Sequence, residues 1–265
     1  AYRRFGTDDR VNALSFLAST LLLLGYPEQS ATAVGQAVSR AQAMGLAYST
    51  ALALSHVAIL GTIGCDPQRA AAHADEAIAL SVEHGLASPG HRARFFRGAL
   101  LAQSGDLQLG VELMRNAMAA AEGSAERNRR TLCLGHLASA HASLGQAEVG
   151  LDLLDEAVRT AEVTSERLFE AELHRLRGEI LLTLGRKAEA EAGLRRALTI
   201  AQQQQARWWE LRAATTLAKH WRDEGKCLEA NSLLQPVYGW FVEGFDTTSL
   251  KDAKALLGEL RDLSG

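Results

Sequence analysis

The sequence predicts an all-α fold made of six helix-turn-helix repeats of 40 residues, followed by a C-terminal capping helix. Three observations carry that expectation. Every fortieth residue from Ala37 is small or apolar: Ala37, Ala77, Ala117, Ala157, Ala197 and Val237. Two earlier columns stay small throughout, Ala18, Ala58, Gly98, Ala138, Gly178, Ala218 and Ser30, Ala70, Gly110, Gly150, Ala190, Ala230. A glycine punctuates each period at Gly25, Gly64, Gly105, Gly145, Gly185 and Gly225. A fixed period with columns of one size class marks a repeat array. Residues 1–239 form the six repeats, and 240–265 form an aromatic turn and capping helix of the same solenoid.

The first helix of repeat one carries Leu14, Leu17, Ala18 and Leu21 at helical spacing, which predicts its packed face. Arg3, Arg4 and Phe5, the apolar run Ala13–Leu24 and the triplet Ala31-Thr32-Ala33 imitate an export signal. Asp8 and Asp9 interrupt that pattern, and cleavage near Ala33 would cut the first repeat in half, so the segment is read as part of the array. The glycine after each first helix suits a residue of positive φ. Gly64 comes one residue early and Cys65-Asp66-Pro67 follows, so the turn of repeat two differs. The second helix packs through Ser30, Val34, Ala37, Val38 and Ala41 and their equivalents. Small residues at 18 and 30 let the two helices of a repeat approach closely. Arg97 and Arg177 interrupt the apolar pattern and either snorkel outward or pair within it. At the end, Trp240-Phe241-Val242-Glu243-Gly244-Phe245-Asp246 forms an aromatic turn, with Asp246 placed to cap the last helix. That helix runs to about Leu263, with Leu250, Ala253, Leu256, Leu257 and Leu260 inward and Lys251, Asp252, Lys254 and Glu259 outward.

With 47% apolar and 22% charged residues, the chain of 265 residues is a folded protein and not a disordered one. A net charge of −3 gives no electrostatic footprint for nucleic acid or an anionic membrane. The apolar run near the start is too short to cross a bilayer. Cys65, Cys133 and Cys227 show no ligand spacing and read as buried small residues in a reducing compartment, the cytoplasm. The chain opens at Ala1 without a methionine, which predicts a piece of a longer protein.

The column set resembles the tetratricopeptide repeat, with six extra residues per unit over the usual 34 lengthening the helices. Two stretches extend the likeness. Leu24-Gly25-Tyr26-Pro27-Glu28-Gln29-Ser30, and Tyr238 through Thr247 continuing over Lys251–Leu257, look like the C-terminal helical-repeat region of large bacterial proteins. Those proteins join a class III adenylate or guanylate cyclase domain to a signal-transduction ATPase. The resemblance implies a sensor segment that receives a ligand or partner and restrains the other domains. It carries over no catalytic residue, because neither the cyclase nor the ATPase lies in this chain.

No catalytic motif emerges from the residues themselves. A phosphate-binding Gly-x-x-x-x-Gly-Lys-Ser/Thr and a His-Glu-x-x-His are both missing from the sequence. His136 and His141 sit about 140° apart on a helix, so no metal site is expected there, and no cofactor is expected. The predicted function is a non-catalytic regulatory module that takes a protein or peptide partner, or another domain of the parent chain, in a concave groove. A small-molecule sensor binding a compact ligand in the same groove is the alternative. First helices line such a groove through residues just off the packed columns. These are Asn12, Ser15 and Ser19, then Leu52, Ser55 and Ile59, then Arg92, Phe95 and Ala99, then Leu132, Gly135 and Ser139. Repeats five and six add Glu172, Arg175 and Glu179, then Arg212, Thr215 and Lys219, with Arg222 a turn further. Arg92 and Phe95 form a candidate anchor pair, while Arg175, Glu179, Arg212, Lys219 and Arg222 form a charged stretch. The charges of that stretch either bind a partner or satisfy one another. Trp208, Trp209, Trp221 and Trp240 either make a binding hot spot or pack the array's end against its cap.

Overall fold

The computed structural model describes residues 7–64, 66–121 and 129–264. They form thirteen α-helices, with no strand among the described residues. In chain order these are α1 Asp9–Leu24, α2 Pro27–Ala43, α3 Ala47–Thr62, α4 Pro67–Glu83, α5 Ala87–Gln103, α6 Leu107–Ala121 and α7 Arg130–Ser143. They continue as α8 Ala147–Thr164, α9 Glu170–Thr183, α10 Lys187–Gln203, α11 Arg207–Asp223, α12 Cys227–Gly239 and α13 Thr248–Ser264. Odd-numbered helices up to α11 are the first helices of the six repeats, even-numbered ones the second, and α13 is the cap. The glycine of each repeat has positive φ where its first helix stops, a conformation that a Cβ disfavours.

Two compact units divide the chain. The first holds the described residues up to Leu22 and those from Pro27 to Ala121. There α2 buries Ser30, Val34, Ala37, Val38 and Ala41, the face its columns predict. The Ser30 hydroxyl donates to the Ala18 carbonyl at 2.7 Å, so the two small columns meet backbone to side chain. A Cβ on Gly98 would lie 2.8 Å from the Gly110 carbonyl oxygen, which is closer than real Cβ contacts reach. The packed stripe of α1 differs from the expectation: Val11, Ser15, Ala18 and Leu22 are buried, while Leu17 is exposed and Leu14 and Leu21 are partly covered. Four successive leucines, Leu21 to Leu24, leave the phase of this helix undetermined by pattern. Asp8 is buried; its backbone N–H donates to Ser49 Oγ, and its carboxylate accepts from the Arg10 backbone N–H and Arg40 Nε, both at 2.8 Å. The described parts of the export-like segment, the apolar run to Leu24 and Ala31-Thr32-Ala33, thus lie within α1 and α2, while Arg3, Arg4 and Phe5 lie outside the described residues. In the variant turn of repeat two, Asp66 caps α4 by accepting from the Gln68 and Arg69 backbone N–H groups. Cys65 lies outside the described residues.

The second unit holds Leu23–Tyr26 and the residues from Arg129 onward. Each first helix packs on its own second helix and on the next first helix: α7 on α9, α9 on α11, α11 on α13. A Cβ on Gly150 would lie 2.8 Å from the Ala138 carbonyl oxygen and 3.0 Å from Ile180 Cδ1, again at the crossing of the small columns. Arg97 pairs with Asp75 in the first unit, and Arg177 pairs with Asp155 in the second. Both arginines therefore pair with an aspartate 22 residues upstream. The apolar face of α13 is buried as its leucines predict. Asp246 is not its cap: the helix starts at Thr248, and the fully exposed Asp246 carboxylate lies 3.9 Å from Lys251 Nζ. Thr247 Oγ1 instead donates to the Gly244 carbonyl. Cys133 and Cys227 are half-buried thiols and not core residues, since both sit beside the packed columns. Among the described residues no helix is long and apolar enough to cross a membrane.

Candidate binding surface

The column expected to line an open groove is largely core. Ser15, Ser55, Phe95, Gly135, Arg175 and Thr215 are all buried. The cause is the packing of successive first helices within each unit. A Cβ on Gly135, for example, would meet Leu173 and Leu176 of α9 at 3.2 and 3.3 Å. Phe95 stacks edge-on against Phe96 with centroids 5.2 Å apart and is a packing residue, which removes it from the anchor pair. Leu52, Ile59, Ala99 and Leu132 are buried as well, and Arg92 is half-buried.

In the second unit the charged positions form a fixed network. Glu172 accepts from Arg175 Nε and Nη2, each at 2.7 Å, and from Arg212 Nη2 at 2.9 Å. Two guanidiniums thus share one carboxylate, with Glu172 and Arg175 both buried. Arg175 also reaches Glu179 and donates to Thr216 Oγ1 at 3.3 Å. Burial alone would raise the Glu172 carboxyl, but Arg175 and Arg212 outweigh it and hold the group down at about 2. Arg175 is kept charged, with its pKa raised because the two glutamates outweigh its burial. His136 on α7 is lowered to about 4, chiefly by burial, with the nearby Glu172 raising it and Arg212 lowering it. A carboxylate satisfied by two forks is a rigid structural element and is not poised for proton transfer. Arg175 is therefore committed inside the fold.

The edge of this network is open to solvent. The Glu179 side chain is 45% exposed and that of Arg212 22%. Lys219 is exposed, and lies seven residues after Arg212 on the same side of α11. Arg222 pairs with Asp223 at 2.8 Å and with Glu259 of the cap at 2.5 Å. The tryptophans pack the array. Trp208 is buried edge-on against Phe241, and the Trp209 indole N–H donates to the Leu168 carbonyl at 3.0 Å. Trp240 stacks near Tyr26 and Phe241 beneath Arg207. The His141 ring shares a 2.6 Å hydrogen bond with Gln146.

Glu172 and Arg212 occupy the same column of successive repeats, so a column reading of charge could have paired them. Thr216 and His136 lie outside that column and carry no such signal.

Several solved structures share this fold. A putative kinesin light chain with tetratricopeptide-like repeats from Podospora anserina is 21% identical, with a TM-score of 0.50 over 66% of this chain and 86% of that one. A Rap protein complexed with competence and sporulation factor is 11% identical, with a TM-score of 0.58 over 96% of this chain and 75% of that one. A signal-transduction ATPase with numerous domains and a tetratricopeptide repeat sensor, from Pyrococcus horikoshii, is 12% identical, with a TM-score of 0.51. That match covers 97% of this chain and 39% of the other. No family model matches the sequence, and no curated protein matches it. The fold is a tetratricopeptide-like helical repeat.

Proposed function

We propose that the chain is a non-catalytic interaction module that takes a peptide or protein segment along the solvent edge of α9 and α11. The observation that carries this reading is the charged edge of Glu179 and Arg212, both held by the buried ion network, with exposed Lys219 on the same side of α11. Charges held in place by a buried support bind with less loss of side-chain entropy than freely mobile ones. A segment with a carboxylate opposite Lys219 and a basic side chain opposite Glu179 complements that edge. Arg222 borders it, and Arg92 in the first unit is a separate candidate contact. Two of the similar structures agree with the reading, since one is a complex with a factor and another contains a repeat sensor. We extend this to a sensor segment of a larger signalling protein, acting in the cytoplasm.

Selection of displayed peptides on the immobilised chain tests the proposal. The expected result is enrichment of peptides carrying both signs of charge, whose affinity falls about 10-fold with Lys219→Glu, the equivalent of roughly 1.4 kcal/mol. Enriched peptides that ignore both Lys219→Glu and Glu179→Lys would remove the site. A retained adduct of small mass in native mass spectrometry, with no peptide enriched, would favour a compact ligand instead.

A further inference from the structure

We infer that Glu191, His220 and Glu224 form a binding site for a divalent transition-metal ion, with Zn²⁺ as its best-suited occupant. Glu191 stands on α10, His220 near the end of α11, and Glu224 is the residue that ends that helix. Their ligand atoms all lie within 4.8 Å of one another. His220 and Glu224 are four residues apart, which places them on one helical face. The decisive atom is His220 Nε2. The residue is only 5% exposed, and this nitrogen has no hydrogen-bond partner although it sits 3.8 Å from Glu224 Oε2. A buried ring nitrogen left unpaired is costly, and a metal ion among these three groups would satisfy it.

The donor set is one imidazole and two carboxylates. That suits a tetrahedral ion with a fourth position open to water. Ligand atoms around such an ion lie roughly 3.3 Å apart at bond lengths of about 2.0 Å, so side-chain rotation within the cluster is enough to close it. The site also has competitors. Lys226 Nζ lies 2.8 Å and Lys187 Nζ 3.7 Å from Glu224, and Arg195 pairs with Glu191 at 2.8 Å. These cations compensate the carboxylates but leave the His220 nitrogen unpaired. An entering ion displaces the lysines, whose long stems let the ammonium groups turn to solvent. A bound ion ties the second helix of repeat five to the end of the first helix of repeat six.

Zn²⁺ titration of the full chain by calorimetry, with circular dichroism of each variant, tests the site. One Zn²⁺ per chain is expected, with affinity about 10-fold or more weaker in His220→Ala and in Glu224→Gln, and tighter in Lys226→Ala. Glu224 is partly exposed, so Glu224→Gln carries the test even if His220→Ala fails to fold. Zn²⁺ affinity unchanged in Glu224→Gln and Lys226→Ala would overturn the site, as would failure of the wild-type chain to bind Zn²⁺ below about 1 mM, a weak-binding limit of roughly 4 kcal/mol.

Discussion

The buried carboxylate of Glu172 is the residue on which the charged region depends. Replacing it with glutamine leaves Arg175 buried with the partly exposed Glu179 as its remaining carboxylate partner. Glu172→Gln should therefore lower stability by about 1.5–3 kcal/mol, read as a fall in the midpoint of urea unfolding. The pH dependence follows in two windows. Glu172 titrates near 4.5 when unfolded and about 2 when folded, so its stabilisation is full above pH 4.5 and is lost as pH falls towards 2. His136 titrates near 6.5 when unfolded and about 4 when folded. The unfolded chain takes up that proton first, so stability also declines as pH falls from 6.5 to 4. Thermal unfolding across pH 2–7 should show both windows in the wild type, and the lower one should shrink in Glu172→Gln, with Glu189, Glu191 and Glu224, also lowered, keeping part of it. The partners were legible at this scale, because Glu172 and Arg212 share a column. Their burial was not, because a column does not say which side of a helix the next first helix will cover. The same holds for the metal cluster: the four-residue spacing of His220 and Glu224 is visible in the chain, but Glu191 joins them only through the docking of α10 on α11.

At the level of elements, the small columns and the turns decide how helices meet. The columns at 18 and 30 were readable because close approach demands small residues in every repeat, and Gly98, Gly110, Gly150 and Gly178 all stand where a Cβ would collide. Gly150→Ala should cost about 1–3 kcal/mol by forcing α7 and α8 apart, measurable by chemical denaturation. The turns between repeats were less legible. Gly45 and Gly85 have positive φ there, but so do Ser165 and Gln205, which carry side chains. Gln205→Gly should raise stability by about 0.5–1 kcal/mol by relieving that conformation, in spite of the added freedom of the unfolded chain. Unchanged stability would mean that the turn is held by its neighbours at no cost. In α1 the phase was misjudged because its leucine run has no polar side. Its start is secured instead by Asp8, and Asp8→Ala should cost about 1–2 kcal/mol through loss of the cap, read from the shift in Tm.

For the whole molecule, a 40-residue period with two small columns was enough to define a helical-repeat array, and its tetratricopeptide-like fold is the one observed. The binding face could not be read the same way, since lining positions inferred from an open array become core where first helices touch. Among the expected lining positions of the second unit Glu179, Arg212 and Lys219 keep an accessible charged edge, and we propose the partner there. Hydrogen–deuterium exchange of the chain with and without a selected peptide tests that most directly. Slowed exchange concentrated in α9 and α11 is expected, with the peptide concentration needed for it raised about 10-fold by Lys219→Glu. Slowing confined to the second helices α8, α10 and α12, or unaffected by that substitution, would contradict the proposal.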